Sequence, residues 1–153
     1  MTTVSVRPMR PGELPVVAGL RWQFTQEFDG PIGYKKEEFL HHFVEWAQRN
    51  HGTHHCMVLL RGDLIIGVAW LAITPRVPSP SSVNRRSGDL QSVYVVPAER
   101  NAGLGSLLIE AILNLARELG LERVTVHSSE RAVCAYARQG FSDSPQLRHI
   151  KLV

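Results

Sequence analysis

The sequence has few cysteines and lacks long apolar runs. Only Cys56 and Cys134 occur among its 153 residues, and each stands in an apolar context. We therefore expect reduced, buried thiols rather than a disulfide, as in a reducing compartment. The apolar runs are too short to span a bilayer, and the first residues lack the apolar core of a signal peptide. These absences predict a cytoplasmic protein without a membrane segment.

A strong excess of one charge is also missing. The formal net charge is +3, and the basic residues are scattered rather than set in a stripe with interleaved aromatic residues. This pattern argues against a nucleic-acid partner. The hydrophobic fraction of 44% and the charged fraction of 20% are ordinary for a globular protein. A chain of this length can build one proper core, so residues 1–153 are predicted to form a single domain.

Several signatures of metal and nucleophile chemistry are absent as well. His51, His54 and His55 do not have the spacing of a metalloprotease or a zinc finger, and Cys56 is a lone thiol. No metal site is therefore expected. Ser128 is not surrounded by the Gly-x-Ser-x-Gly pattern of a nucleophile elbow, which argues against a serine hydrolase of that type.

What the sequence does contain is a strand, a glycine turn and a helix in succession. A β-branched run ends at Pro97, which closes the strand, and apolar residues recur at helical spacing over 104–119. Between them stands Arg100-x-x-Gly103-x-Gly105. Positions without side chains let backbone N–H groups approach an anion, and the start of a helix adds a positive dipole. The pattern predicts a pyrophosphate cradle, to which Arg100 adds its charge.

Three kinds of phosphate-binding loop fit such a cradle, and a paired-glycine turn can also be only a tight turn. A dinucleotide fingerprint needs a third glycine where Leu108 stands, and a nucleoside-triphosphate loop needs Gly-Lys-Ser/Thr, which is absent. The third kind is Arg/Gln-x-x-Gly-x-Gly/Ala, the acetyl-CoA loop of the GNAT N-acetyltransferase superfamily. Residues 132–141 resemble the second signature of that family, Ala-x-x-x-Tyr-x-x-x-Gly-Phe. Because both motifs occur in the right order, residues 89–141 resemble a GNAT domain.

Apolar periodicity and turn signals predict the element order β–α–α–β–β–β–α–β–α–β–β. The order resembles that of GNAT domains. It implies an α+β fold of three α/β/α layers, with a mixed, mostly antiparallel, splayed sheet and helices on both faces. The predicted strands cover 3–9, 56–60, 64–73, 89–96, 123–127, the region of Phe141, and 147–153. The predicted helices cover 13–28, 35–50, 104–119 and 132–139, and a mobile loop covers 75–88.

The resemblance implies an acetyl-CoA-dependent N-acetyltransferase in which a primary amine attacks directly in a ternary complex. A small-molecule amine is favoured over a protein amino group as acceptor. The alternative is a GNAT fold that senses acyl-CoA without turnover, and edge strands near the C-terminus leave a homodimer open. By position in the motifs, the resemblance implies cofactor contacts at Val93, Val95, Arg100, Asn101, Ala102, Gly103, Leu104, Gly105, Ser106, Ser129 and Ala132.

Two residues are the candidates for catalysis. Tyr136 matches the family tyrosine that meets the CoA sulfur, and we expect it to stabilise the thiolate first and to act as a general acid second, because a phenol is less acidic than a thiol. Asp89 lies where many members of that family carry a glutamate and is the candidate base; the alternatives are another acid, a water chain, or a carboxylate that only satisfies turn N–H groups at the start of the strand. Period two puts it on one strand face with Gln91 and Val93. Ser129 stands where the family often has an asparagine, so this contact to the CoA arm is expected to be weaker.

The acceptor side is less defined by the sequence. Acids near the first two helices could bind the substrate ammonium or be solvated, and nearby aromatic residues could wall the acceptor pocket or pack in the core. The acids are Glu27, Asp29, Glu37 and Glu38, and the aromatic residues are Trp22, Phe24 and Tyr34.

Overall fold

The computed structural model describes residues 2–153, which build one five-stranded sheet with helices on both faces. The strands are β1 (Val4–Pro8), β2 (His54–Arg61), β3 (Leu64–Pro75), β4 (Arg86–Val95) and β5 (Val124–Val126). The helices are α1 (Leu14–Phe28), α2 (Lys36–Arg49), α3 (Leu104–Glu118) and α4 (Val133–Arg138). The strands lie side by side in the order β1-β2-β3-β4-β5. The first three pairs are antiparallel, and β4 pairs with β5 in parallel.

Two apolar cores lie on opposite faces of the sheet. Helix α3 buries Leu108 and Ile112 completely against one face, because its apolar residues return every three or four positions. Helices α1 and α2 cover the other face, where Val17 is fully buried and Ala47 is 6% exposed. The expected three-layer arrangement with a mixed sheet is therefore confirmed.

The end of the chain differs from the prediction. Strands were expected near Phe141 and over 147–153, but residues 141–153, all of them described, contain none. The alternation of apolar residues there is real, yet Leu147, Ile150 and Leu152 are between 58% and 82% exposed. A strand needs a neighbour for its backbone groups as well as a pattern, and this segment lies outside the sheet.

The third and fourth strands are longer than expected. The ladder between them continues out to Pro75 and Arg86, so the predicted 75–88 loop shrinks to ten residues, 76–85.

Cys134 is exposed rather than buried, which corrects the expectation that both thiols lie in the core. Within residues 2–153, no helix has both the length and the apolar character needed to cross a bilayer.

Candidate active site

A cleft opens where the fourth and fifth strands separate. They pair only where Gly88–Leu90 faces Val124–Val126, and beyond this point they diverge, as the resemblance implied. The cleft has a volume of about 660 Å³. Its walls come from β4, the turn after it, the start of α3 and the region around α4. Most of the expected cofactor residues line it: Val93, Val95, Arg100, Asn101, Gly103, Leu104, Gly105, Ser106, Ser129 and Ala132, together with Tyr136. Ala102 and Asp89 are not among the lining residues.

A bulge in β4 decides which side chains face this cleft. Trp70 pairs with Gln91 and Val68 with Tyr94, so two residues of β4, 92 and 93, stand opposite one residue of β3. Ser92 takes a positive φ of 53° at this point. An extra residue reverses the alternation of side chains along the rest of the strand.

The reversal corrects one expectation. Leu90 packs in the core beneath α3, whereas Tyr94, four residues later, packs in the core beneath α1 and α2. Val93 consequently packs with the α3 core and lies on the face opposite to that of Asp89. The predicted common face for Asp89 and Val93 is wrong, because period two holds only where the ladder is regular.

The backbone of Val95 is directed into the cleft. The Val96 amide donates to the Ile66 carbonyl oxygen at 2.9 Å, so residue 96 points its backbone groups towards β3. Backbone groups alternate in direction along an antiparallel strand, and those of Val95 therefore point away from β3. In agreement, the Val95 carbonyl oxygen accepts a hydrogen bond from Arg100 Nε at 2.9 Å. The Val95 N–H is the donor left facing the cleft.

The turn after β4 has the form of an anion cradle. Asn101 and Gly103 have positive φ values of 68° and 74°, and α3 begins immediately afterwards. Within the described chain, no side chain caps the start of this helix. A Cβ added at Gly103 or Gly105 would meet no atom within 4 Å, so both positions open onto free space. Uncapped helix N–H groups beside such a space fit a diphosphate.

Arg100 does not add its charge to the cradle as expected. Its Nη2 donates to Glu27 Oε1 at 2.9 Å, its Nη1 donates to Glu27 Oε2, and its Nε is bonded to the Val95 carbonyl. The guanidinium also stands over the rings of Phe28 and Tyr94, 5.3 Å from each centroid. The charge of Arg100 is thus balanced within the protein, and the side chain fastens the turn to α1.

Glu27 lies at the centre of this network. The hydroxyl of Tyr94 donates to its Oε1 at 2.8 Å. The hydrogen bonds from Arg100 and then from Tyr94 lower the pKa of Glu27 against the opposing effect of desolvation. Burial, followed by the hydrogen bond to Glu27, raises the pKa of Tyr94 to about 12. The proposed use of Glu27 as a ligand for the substrate ammonium is therefore replaced by a role in holding the cradle. Only its position near the helix end, not its partner, could be seen in the sequence.

Tyr136 faces the cleft from α4. Its side chain is 8% exposed, and its ring packs against Phe141 with centroids 5.4 Å apart. Burial raises the pKa of Tyr136, which favours a neutral phenol that can donate a hydrogen bond. The side-chain hydrogen bonds of residues 2–153 include none from the Tyr136 hydroxyl, and no fully buried polar side-chain atom among these residues lacks a partner, so the hydroxyl keeps access to the cleft.

Asp89 lies where β4 and β5 are still paired. Its Oδ1 accepts a hydrogen bond from Thr125 Oγ1 at 2.9 Å, and its Oδ2 accepts one from Gln91 Nε2 at 2.9 Å. The carboxylate is therefore fixed at the apex of the splay, on the face away from α3.

The aromatic candidates separate in the structure. Phe24 lines the cleft, whereas Trp22 packs on Phe39 with centroids 5.8 Å apart, and Tyr34 is 71% exposed. Phe28, predicted only as the last residue of the helix over 13–28, is a further cleft residue. Its position as the last residue of α1 is the sequence signal that could have indicated a place in the cleft.

A second pocket of about 400 Å³ lies between the end of β1 and helices α1–α3. It is mostly apolar, and its lining includes His51, which precedes β2, and His54 and His55, which begin that strand. His54 is held by the Trp46 ring at 4.9 Å and by the Thr53 hydroxyl at 2.9 Å. In the part of the chain that the structure describes, no group of three or more His, Cys, Asp or Glu residues could hold a metal ion.

Comparison with known proteins gives consistent matches. A family model described as the acetyltransferase (GNAT) family matches residues 18–141. A glucosamine 6-phosphate N-acetyltransferase of Trypanosoma brucei brucei is 35% identical over 77 residues, which is 50% of this chain and 50% of that protein's length.

Solved structures share the fold at low sequence identity. A predicted acetyltransferase of Clostridium acetobutylicum, solved with acetyl-CoA, is 16% identical, with a TM-score of 0.78 over 97% of this chain and 96% of that one. A glucosamine-6-phosphate N-acetyltransferase of Arabidopsis thaliana is 18% identical, with a TM-score of 0.73 over 98% of both chains.

Proposed function

This chain belongs to the acetyltransferase (GNAT) family, and from that premise we propose that it moves an acetyl group from acetyl-CoA to a primary amine by direct attack in a ternary complex. One observation carries the proposal. The uncapped start of α3, with its two glycines, opens onto the same cleft as the free hydroxyl of Tyr136. An anion site and a hydrogen-bond donor in one cleft are what an acyl-CoA thioester requires.

Each residue of the cleft has a separate role in the proposed reaction. Acetyl-CoA supplies the activated acetyl thioester. The amides of residues 101–106 hold its diphosphate, and Arg100 fixes the turn that carries them. The Val95 N–H donates to the thioester carbonyl oxygen as a small oxyanion hole. Tyr136 donates to the sulfur as it leaves, and its raised pKa keeps the proton on the phenol until then.

Asp89 is proposed as the base that takes the proton of the acceptor ammonium. An aliphatic ammonium has a pKa of about 10.4, so only about 0.04% of it is free amine at pH 7. Two hydrogen bonds hold the carboxylate in one orientation at the apex of the splay. Asp89 lies on the α1 and α2 side of the sheet, which leaves the α3 side for the cradle.

For the acceptor we propose a small amine, with phosphorylated amino sugars first among the candidates. The support is the 35% identity over half of the chain to a glucosamine 6-phosphate N-acetyltransferase and the shared fold with another. Other primary amines and peptides with free amino groups complete the set of acceptors to be tested.

The test is a screen for free thiol released from acetyl-CoA across that set of acceptors, with product identified by mass spectrometry. We expect amine-dependent thiol release from at least one small acceptor. Binding of acetyl-CoA without release for any acceptor would favour a non-catalytic sensor and would refute the enzyme.

The role of Asp89 has its own test, with Asp63→Asn in the β2–β3 turn as the matched control. Asp89→Asn should lower kcat by about 10²- to 10⁴-fold, the range for a lost general base, while the control should not. Loss of activity that is restored at high pH, where more free amine is present, would support the base. Equal turnover in both variants would remove Asp89 from the mechanism.

A further inference from the structure

The cleft needs a positive charge that Arg100 does not supply. A ligand with a diphosphate brings negative charge that the cleft must balance, and helix N–H groups contribute only about 0.3–1 kcal/mol each. Three arginines line the cleft, Arg100, Arg131 and Arg138. The first is already neutralised by Glu27. Arg131 and Arg138 are the two arginines of the cleft that remain to be considered.

Arg131 lines the cleft and lies over the ring of Phe28, another cleft residue. It lies in the short 3-10 turn Glu130–Ala132 before α4, and its guanidinium carbon stands 3.9 Å from the centroid of the Phe28 ring. Phe28 belongs to the end of α1, on the opposite wall, and its ring also lies 5.3 Å from the Arg100 guanidinium carbon. Arg131 therefore reaches from the α4 side to the side of the cradle.

The contact with Phe28 leaves the hydrogen-bond donors of Arg131 available. Stacking uses the flat face of the guanidinium, and the N–H groups lie in its plane. Among the ion pairs of residues 2–153, none involves Arg131. The charge of Arg131 helps to lower the pKa of Glu27, but no carboxylate of the described chain lies within ion-pair distance of its guanidinium. An oriented guanidinium of this kind, in a cleft beside a helix start, fits a phosphate.

Arg138 lacks the same support. Like Arg131 it is exposed, but it lies at the end of α4 and takes part in none of the cation–ring contacts of the described chain. An arginine at a helix end without a stacking partner is not held in one orientation and its charge is screened by salt, so it contributes less to a fixed contact.

On these grounds we infer that Arg131, oriented by Phe28, is the residue that binds a phosphoryl group of the acyl-CoA in this cleft. The inference rests on the proposed function, because it takes the cleft to be an acyl-CoA site. It adds the cation that the glycine motif alone did not identify, from a position 31 residues after Arg100.

The test is calorimetric titration of CoA, without acceptor, into the full chain and five variants, the fifth being Arg138→Gln, at low and at physiological salt. Arg131→Gln should weaken CoA binding by about 10- to 100-fold, the effect of losing a charge-assisted hydrogen bond, and should flatten the salt dependence. Arg131→Lys and Phe28→Leu should each give a smaller loss, since one keeps the charge without the planar stack and the other removes the stack. Arg117→Gln, at the far end of α3, makes the same change in net charge and should bind as the unaltered protein does.

Titration with dephospho-CoA locates the contact. A loss on Arg131→Gln that persists with dephospho-CoA assigns the diphosphate, and a loss that disappears assigns the 3′-phosphate; either supports the inference. Unchanged CoA binding in Arg131→Gln, or a loss in Arg138→Gln alone, would overturn it while leaving the acyl-CoA site intact. An unaltered protein that binds neither CoA nor acetyl-CoA would overturn the proposed function as well.

Discussion

Replacing Gly103 by alanine tests whether the turn before α3 is a ligand cradle or only a turn. Gly103 has a φ of 74°, and Gly120, just after the same helix, has a φ of 72°. An added Cβ would meet no atom within 4 Å at either position. Gly103 lines the cleft, whereas Gly120 lies at the opposite end of the helix. An alanine would therefore be strained equally at the two sites, but only Gly103 lies in the cleft.

The expected stability changes are equal. An L-residue in the left-handed region costs roughly 1–2 kcal/mol. For a protein of this size that amounts to a lower Tm by about 2–8 °C in each variant. Far-UV circular dichroism during heating measures both values.

The expected binding changes differ. In Gly103→Ala the methyl group enters the space above the helix N–H groups, or the turn relaxes and moves those groups. Loss of one charge-assisted hydrogen bond weakens CoA binding by about 10- to 100-fold, whereas Gly120→Ala binds as the unaltered protein does. Calorimetry below the lower Tm separates the two. CoA binding that is unchanged in Gly103→Ala, or weakened equally in both variants, would refute the cradle.

Three further predictions concern the catalytic tyrosine, the sheet and acid stability. Tyr136→Phe should lower turnover roughly 10- to 10⁴-fold. The urea midpoint should stay unchanged, because the Tyr136 hydroxyl donates to no side chain or backbone group of the described residues. Turnover of the variant equal to that of the unaltered protein with the true acceptor would contradict the role of Tyr136. Gly67→Ala should destabilise the fold by about 1–3 kcal/mol, since the new Cβ would lie 2.9 Å from the Tyr94 carbonyl oxygen; a urea midpoint equal to that of the unaltered protein would show that β3 and β4 separate freely. Two hydrogen bonds from Arg7 lower the pKa of the Glu13 carboxyl group to about 2. The ionised carboxylate therefore stabilises the fold above pH 4.5, and this contribution is lost as the pH falls through 2. Glu13→Gln should therefore cost about 1 kcal/mol at pH 7 and nothing near pH 2 in urea titrations, and a constant difference at both pH values would disprove the link.

The start and end of α3 could be read from the sequence because their causes are local. Pro97 closes the strand, the glycine at 103 allows a left-handed turn, and Gly120 ends the helix with a φ of 72°. Apolar residues at helical spacing then fix which face of the helix is buried. The alternation at 147–153 is an equally local pattern, but it did not produce a strand, since pairing depends on a neighbour elsewhere in the chain.

The chemistry of the cleft depended on contacts between distant residues. The bulge at Ser92 moved Val93 to the face opposite Asp89, a shift that arises from the register against β3 and leaves no mark in the local pattern. Arg100 was expected to serve a phosphate, yet it meets Glu27, 73 residues earlier in the chain.

The sequence by itself determined that a strand, a glycine turn before a helix and a tyrosine would occur in the order typical of an acetyltransferase. Only the tertiary structure decided which charges remain free to bind a ligand. The reason is that propensity and periodicity act over a few residues, whereas an ion pair such as that of Glu27 and Arg100 forms only when packing brings separate elements together.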